Sequence, residues 1–124
     1  MSDLKPRHAT INLGGKDYGL LFNINAMDAI QDRFDILISE IDSLLADERK
    51  AFKVLKGITA ILINEAIDDA ESNEPHVTEA FVGRKITGSD VFRLRLGITS
   101  AFTNGMPESD ADEDDEDPNA KSGQ

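Results

Sequence analysis

The sequence has 124 residues and no cysteine, which excludes disulfide bonds, thiol nucleophiles and thiolate metal ligands. Its formal net charge is −11, and residues 107–124 alone contribute −7 through eight acidic residues and one lysine. The other 106 residues therefore carry only −4. Binding to nucleic-acid phosphates needs clustered lysine and arginine, so this balance argues against a nucleic-acid partner.

A β-hairpin over residues 10–22 is the first element that the sequence predicts. Apolar and polar residues alternate on both sides of Gly14 and Gly15, which is typical of two strands that each bury one face. Glycine adopts the positive φ angles that tight hairpin turns require. Lys16 is followed by Asp17 and a second strand, so the glycines do not fit a phosphate-binding loop. The apolar residues of the two strands are Ile11, Leu13, Tyr18, Leu20 and Phe22.

Apolar residues at helical spacing then predict four to five helices, so the fold is expected to be α+β and mostly α. Asn23 or Asn25 is the expected N-cap of the first helix, because an asparagine side chain accepts a hydrogen bond from a free amide of the first turn. A break is expected at residues 33–35, and a second helix follows with Asp35 or Ser39 as its cap.

The longest helix is predicted over about residues 47–70, with Asp47 as its cap. Its apolar face is wide and includes Phe52, which fits a central helix with several neighbours or a helix that also meets another subunit. Helical periodicity favours the buried role. Gly57 lies inside this helix and costs about 1 kcal/mol relative to alanine, which close packing against another helix would explain.

Two further helices are predicted before the chain becomes acidic. Thr78 is the expected cap of a short helix, and Thr87 or Ser89 is the expected cap of the last one, which stops near Gly105. On the last helix, Phe92 and Leu96 lie away from the main apolar face. Periodicity favours a second buried face there, and a partner-binding face is the alternative.

Composition sets the expected domain boundaries. Residues 1–8 form a polar, flexible lead-in, and residues 9–105 form a single domain of hairpin and helices. Residues 106–124 combine high charge with almost no apolar side chains. Such a segment cannot bury enough apolar surface to offset its chain entropy, so we expect a disordered acidic tail.

The sequence contains no catalytic or metal-binding motif. His8 and His76 are the only histidines, and neither has a partner at metal-ligand spacing. Asp68 and Asp69 are adjacent on a helix and point in different directions. No serine lies in a Gly-x-Ser-x-Gly motif, and the acidic tail lacks the glycine and glutamate of an EF-hand loop. We therefore expect no enzyme activity, cofactor or metal.

The hairpin stretch resembles the N-terminal signature of the tail assembly chaperones of long-tailed bacteriophages. That signature reads I-x-L-G-G-K-x-Y-x-L-x-F-x-x-N-A and is followed by a helix. Within residues 11–26, ten residues stand at the matching positions: Ile11, Leu13, Gly14, Gly15, Lys16, Tyr18, Leu20, Phe22, Asn25 and Ala26.

This resemblance implies a chaperone that binds and solubilises the tape measure protein during tail assembly in the host bacterial cytoplasm. It implies a protein that is absent from the mature virion and that associates with itself. In many relatives a ribosomal frameshift yields a longer form that contacts the tail tube protein, and this chain resembles the short form. We expect the partner-binding residues on the last helix, at Phe92, Leu96 and Phe102.

Two other function classes stay open. A minor structural component of the virion, such as a connector or tail protein, would be found in purified virions. An acidic mimic of nucleic acid needs acids spread over the folded surface, which the charge of −4 outside the tail opposes. The first ten residues have no signal-peptide core, and the longest apolar run, 58–63, is short of a membrane span, so we expect no membrane association.

Overall fold

The computed structural model describes the backbone of residues 8–105 and the side chains of residues 9–98. An antiparallel β-hairpin is followed by five α-helices, which confirms the expected α+β, mostly helical fold. The elements are β1 (His8–Leu13), β2 (Lys16–Leu21), α1 (Ile24–Phe34), α2 (Ile41–Ala46), α3 (Ala51–Asp69), α4 (Glu79–Lys85) and α5 (Val91–Gly105), with 3₁₀ turns at Ile38–Glu40 and Gly88–Asp90.

The two chain ends differ in what the structure describes. His8, which composition places in the lead-in, is the first residue of β1 and pairs with Leu21. Residues 1–7 and the predicted disordered tail, 106–124, lie outside the described residues. Within residues 8–105, no helix is both long and apolar enough to cross a membrane.

The hairpin has the turn that its glycines predict. Gly14 has φ 62° and Gly15 has φ 90°, values that a residue with a Cβ adopts only with strain. The Asn12 Oδ1 atom accepts a hydrogen bond of 3.1 Å from the Gly15 amide, and its Nδ2 donates to Asp17 at 2.9 Å. The register is fixed on both strands, with Ile11 opposite Tyr18.

The hydrophobic core is centred on α3, which contacts β2, α1, α2, α4 and α5. The hairpin packs one face against α3 and α5, and this is why its alternating residues Leu13 and Leu20 are buried. The largest fully buried side chains come from all of these elements: Leu20, Leu21, Phe22, Ile30, Ile41, Val54, Ile58, Leu62, Ile63, Val82, Leu94 and Ile98.

Capping hydrogen bonds confirm two predicted helix starts. The Asn23 side chain accepts a hydrogen bond of 2.9 Å from the Ala26 amide, so Asn23 rather than Asn25 caps α1. The Thr78 hydroxyl accepts one of 3.0 Å from the Phe81 amide at the start of α4. Because each bond satisfies an amide that has no partner inside the helix, both sites are set by local sequence.

Two predicted caps are wrong. Asp47 does not cap α3, which begins at Ala51; its carboxylate accepts a hydrogen bond from the Arg49 amide and stabilises the turn before the helix. Neither Asp35 nor Ser39 caps the second helical segment. Asp35 instead ends α1 with φ 55°, and the Glu40 carboxylate accepts a hydrogen bond of 2.8 Å from the amide of the residue at position 37.

Gly57 lies where three helices meet. A Cβ at this position would stand 2.6 Å from Cζ of Phe34 on α1 and 3.3 Å from a carboxylate oxygen of Glu79 on α4. The distance to Phe34 is shorter than real Cβ contacts, and the distance to Glu79 is tighter than most, so close helix packing accounts for the glycine. Beside it, Arg33 donates two hydrogen bonds to Glu79, from Nε at 2.8 Å and from Nη2 at 3.0 Å.

Candidate functional site

Three large apolar side chains that periodicity assigns to the core are exposed in the described chain. Phe52 on α3 is 67% exposed, and on α5 Phe92 is 68% and Leu96 is 54% exposed. The predicted buried role is therefore wrong for all three. Apolar spacing marks a helix face that favours burial, but the elements that pack on α3 and α5 cover only part of each face.

A groove of about 500 Å³ runs between the first turns of α3, the length of α4 and the start of α5. Its floor is apolar, since Leu55 and Leu94 are buried and Ile86 and Val91 are half-buried beside them. The exposed ring of Phe52 forms one wall. An apolar groove between helices of this volume is a typical site for a ligand or for a segment of another protein.

Small residues keep the groove open. Ala80, Gly83 and Gly88 line it, and none of them carries a side chain large enough to fill it. The side chain of Lys56 on α3 lies against Gly83 on α4: its Cδ atom is 2.9 Å from the place of a Cβ on this glycine. The aliphatic stem of Lys56 thus packs over α4 while its charged end stays near the groove.

The segments that form the groove walls are basic, although the protein as a whole is acidic. The two segments that form its walls, residues 49–56 and 79–95, contain eight basic and two acidic residues, a formal charge of +6. The other described segments that carry charge, residues 8–48 and 57–78, contain thirteen acidic and two basic residues, which gives −11. The mild charge that the whole sequence shows outside its tail therefore conceals two regions of opposite sign.

Basic residues form ion pairs with carboxylates less often in the groove segments, 49–56 and 79–95, than in residues 8–48 and 57–78. Outside the groove segments, Lys16 pairs with Glu74 and Arg33 with Glu79. In the groove segments, as far as residues 9–98 are concerned, seven of the eight basic side chains have no carboxylate within 4.0 Å. The exception is Arg93, which lies 3.8 Å from Asp90. The groove segments therefore present positive charge that the described residues do not neutralise.

An ion pair between Arg33 and Glu79 joins α1 to α4, which lines the groove. Hydrogen bonds from the Arg33 guanidinium, with a smaller contribution from the charges of Arg33, Lys56 and Lys53, hold the pKa of Glu79 below its ordinary value. Glu79 is in the first turn of α4, where a carboxylate also suits the positive helix end. This pair fixes α4, which forms one wall of the groove, against α1.

The residues that the sequence analysis predicts for partner binding do not line the groove as far as their side chains are described. Phe92 and Leu96 are exposed on α5, but neither lines the groove. Phe102 belongs to α5, and its side chain lies outside the described ones. The groove residues Arg84 and Ile86 escape sequence analysis, although the clustering of basic residues in 49–56 and 79–95 is visible in the sequence and would have pointed to this end.

The described side chains offer binding surface and no metal centre. Among them, no group of three or more His, Cys, Asp and Glu residues is placed to hold a metal ion. His76 Nε2 lies 2.7 Å from an oxygen of Asp68 on the exposed surface. Comparisons of the chain with protein-family models, with curated proteins and with solved structures give no match. Function therefore has to be inferred from the groove, the charges and the hairpin pattern.

Proposed function

We propose that this protein is a phage tail assembly chaperone that holds apolar helical segments of the tape measure protein in the groove between α3, α4 and α5. The observation that carries the proposal is the groove itself, with an apolar floor and an exposed Phe52 at its wall. The ten-residue match of the hairpin to the chaperone signature agrees with it. On this proposal the protein acts in the host cytoplasm and leaves before the virion is complete.

Helix-in-groove binding explains how such a site would act on a long helical client. An amphipathic helix places apolar side chains at positions i, i+3, i+4 and i+7 into a complementary groove. Binding removes that apolar surface from water and, by mass action, lowers the concentration of bare client that can aggregate. Phe52, Leu55 and Val91 supply the apolar contacts on the chaperone side.

The exposed pair on α5 supplies a second apolar surface. Phe92 and Leu96 are four residues apart, so their side chains lie on the same face of the helix. We assign this face to partner contacts, with the client or with a second copy of the chain, and keep Phe102 as a candidate on the same helix. Contacts with the tail tube protein, as in many members of the family that the hairpin resembles, would need a longer frameshifted form.

Co-expression with the tape measure protein of the same phage, followed by a soluble pull-down, tests the proposal. We expect a soluble complex that Phe52→Ala weakens by about 10- to 100-fold in Kd, the loss of roughly 1.5–3 kcal/mol for one buried phenylalanine. Leu37→Ala is the matched control, because Leu37 is 63% exposed but does not line the groove. Phe92→Asp with Leu96→Asp tests the second surface.

Folding of each variant is checked by circular dichroism, so that loss of binding is not loss of structure. The proposal is wrong if the client stays insoluble and unbound while the protein is folded, or if Leu37→Ala weakens binding as much as Phe52→Ala. Mass spectrometry of purified virions separates a chaperone from a minor structural component. A stoichiometric amount in virions would favour the structural role.

A further inference from the structure

The acidic tail, residues 106–124, has a charge that matches the groove segments. It carries −7, and residues 49–56 and 79–95 together carry +6, although Lys85 packs beside Gly14 of the hairpin and Arg95 donates a hydrogen bond to the carbonyl of Leu45 on α2. Lys56 and Arg84 line the groove, and among residues 9–98 neither has a carboxylate within 4.0 Å. Opposite charges of this size attract over about a Debye length, roughly 10 Å at 0.1 M salt.

The tail is also long enough to reach the groove from where α5 ends. The start of α5 lines the groove, and its 15 residues extend about 22 Å from there to Gly105. Seven extended residues, 106–112, cover about 23 Å. The acidic run 112–117 therefore begins at the distance that returns it to Lys56 and Arg84, which we call the basic rim of the groove, and further residues of the tail follow it.

We propose that the acidic tail binds the basic rim of the groove of its own chain and competes there with the client. Attachment to α5 gives the tail an effective concentration in the millimolar range, so weak electrostatic binding is sufficient for occupancy. The tail has almost no apolar side chains, so it screens Lys56 and Arg84 but leaves the apolar floor free. A client that enters the groove, which Lys56 and Arg84 line, displaces the tail from these two residues.

This inference deepens the proposed function, because it adds a competitor at the same site, but its direct test needs no client. The chain has no cysteine, so Ala120→Cys accepts a single nitroxide spin label on the full-length protein. At about 20 mM salt, the ¹⁵N amide signals of Gly83 and Gly88 are expected to broaden. At about 0.5 M salt the broadening is expected to disappear, because the Debye length falls to a few Å.

Charge-reversal variants locate the contact. Arg84→Glu is expected to remove most of the broadening, whereas Lys16→Glu, the same reversal on the hairpin, leaves it in place. Replacing the six acids at 112–117 by Asn and Gln removes it as well. Absence of broadening at low salt in the labelled wild-type background overturns the inference, whatever the client does.

Two further measurements test whether the tail contact lies within one chain and whether it competes with the client. A mixture of labelled ¹⁴N protein and unlabelled ¹⁵N protein shows broadening only if the tail binds a second copy, which would overturn the intramolecular form. With the client present, the tail-neutralised variant is expected to bind about 3- to 10-fold more tightly than wild type. If the tail broadens the groove signals but no client binds any variant, the proposed function fails and the tail contact stands.

Discussion

The two ends of α3 both carry large apolar side chains but have different surroundings. Its second half is covered on several sides: Ile58, Leu62 and Ile63 are buried, and Ala66 lies 3.5 Å from the place of a Cβ on Gly19 in β2. Its first turns face the groove, where Phe52 is exposed. We call these the closed end and the open end. The contrast teaches that apolar periodicity marks a face to be covered but does not say which chain covers it.

Charge follows the same division. Taken together, residues 8–48 and 57–78, which include the hairpin, α1, α2 and the closed end of α3, are acidic. Their two basic residues, Lys16 and Arg33, form ion pairs within the fold. The groove at the open end is lined by Lys56 and Arg84. At the groove, the exposed Phe52 therefore lies beside basic side chains that the described carboxylates do not neutralise, which is an arrangement expected of an interface rather than of an incomplete core.

The largest expected effect comes from truncating one apolar side chain at each end. Ile63→Ala at the closed end should lower the free energy of unfolding by about 2–5 kcal/mol, because a buried side chain is lost and a cavity remains. Phe52→Ala at the open end should change it by less than about 0.5 kcal/mol. Urea unfolding followed by circular dichroism measures both. Equal losses would show that Phe52 is covered within the folded monomer in solution, against the division into two ends.

Gly57, at the boundary between the ends, gives the next largest effect. Gly57→Ala places a methyl group against the ring of Phe34, and overpacking of this kind costs about 1–3 kcal/mol, partly offset by about 1 kcal/mol of helix propensity. We expect a net loss of up to roughly 2 kcal/mol by urea unfolding. Phe34→Leu in the same background should recover part of it. A stabilised single variant would mean that α1 is packed less closely than the structure shows.

The features that the sequence predicts well are those decided within a few residues. The Gly14–Gly15 turn, the Asn23 cap and the Thr78 cap each depend on hydrogen bonds that span three residues. The start of α3 was misplaced because Asp47 has two local uses, as a helix cap or in a turn, and the turn is the one adopted. Local sequence does not rank these two uses.

The groove could not be predicted in the same way. It exists because α4 and α5 approach α3 without covering Phe52, and that placement depends on packing between elements distant in sequence. Periodicity assigned Phe92 and Leu96 to a buried face for the same reason. The basic charge of the walls was readable, since the segments 49–56 and 79–95 stand out in the sequence once they are counted apart from the rest.

A substitution of Thr59, at the closed end, is expected to change the free energy of unfolding by a smaller amount. Its side chain is fully buried, and within the described residues its hydroxyl has no hydrogen-bond partner. Thr59→Val removes that uncompensated polar group with little change in shape, so we expect a gain of about 1 kcal/mol in the free energy of unfolding. Thr78→Val is the control, since it removes the α4 cap and should cost about 1 kcal/mol. A loss at position 59 would reveal a partner for the hydroxyl.

The smallest effect concerns the ion pair between Arg33 on α1 and Glu79 on α4, the helix that forms one wall of the groove. Arg33 lowers the pKa of Glu79, so the folded state favours the ionised carboxylate more than the unfolded state does. The resulting stability is present above the ordinary carboxyl pKa near 4.5 and is lost as the pH falls through the lower folded value. Both side chains are about a third exposed, which limits the contribution to about 0.5 kcal/mol.

Glu79→Gln should therefore reduce the loss of stability between pH 5 and pH 3, relative to wild type, in urea unfolding at each pH. Arg33→Gln should reduce it in the same way, because without the guanidinium the pKa of Glu79 returns toward its ordinary value. The double variant should add little to either, since both changes remove one interaction. Additive effects would mean that the two residues act separately and that α4 is fixed beside the groove by its apolar contacts alone.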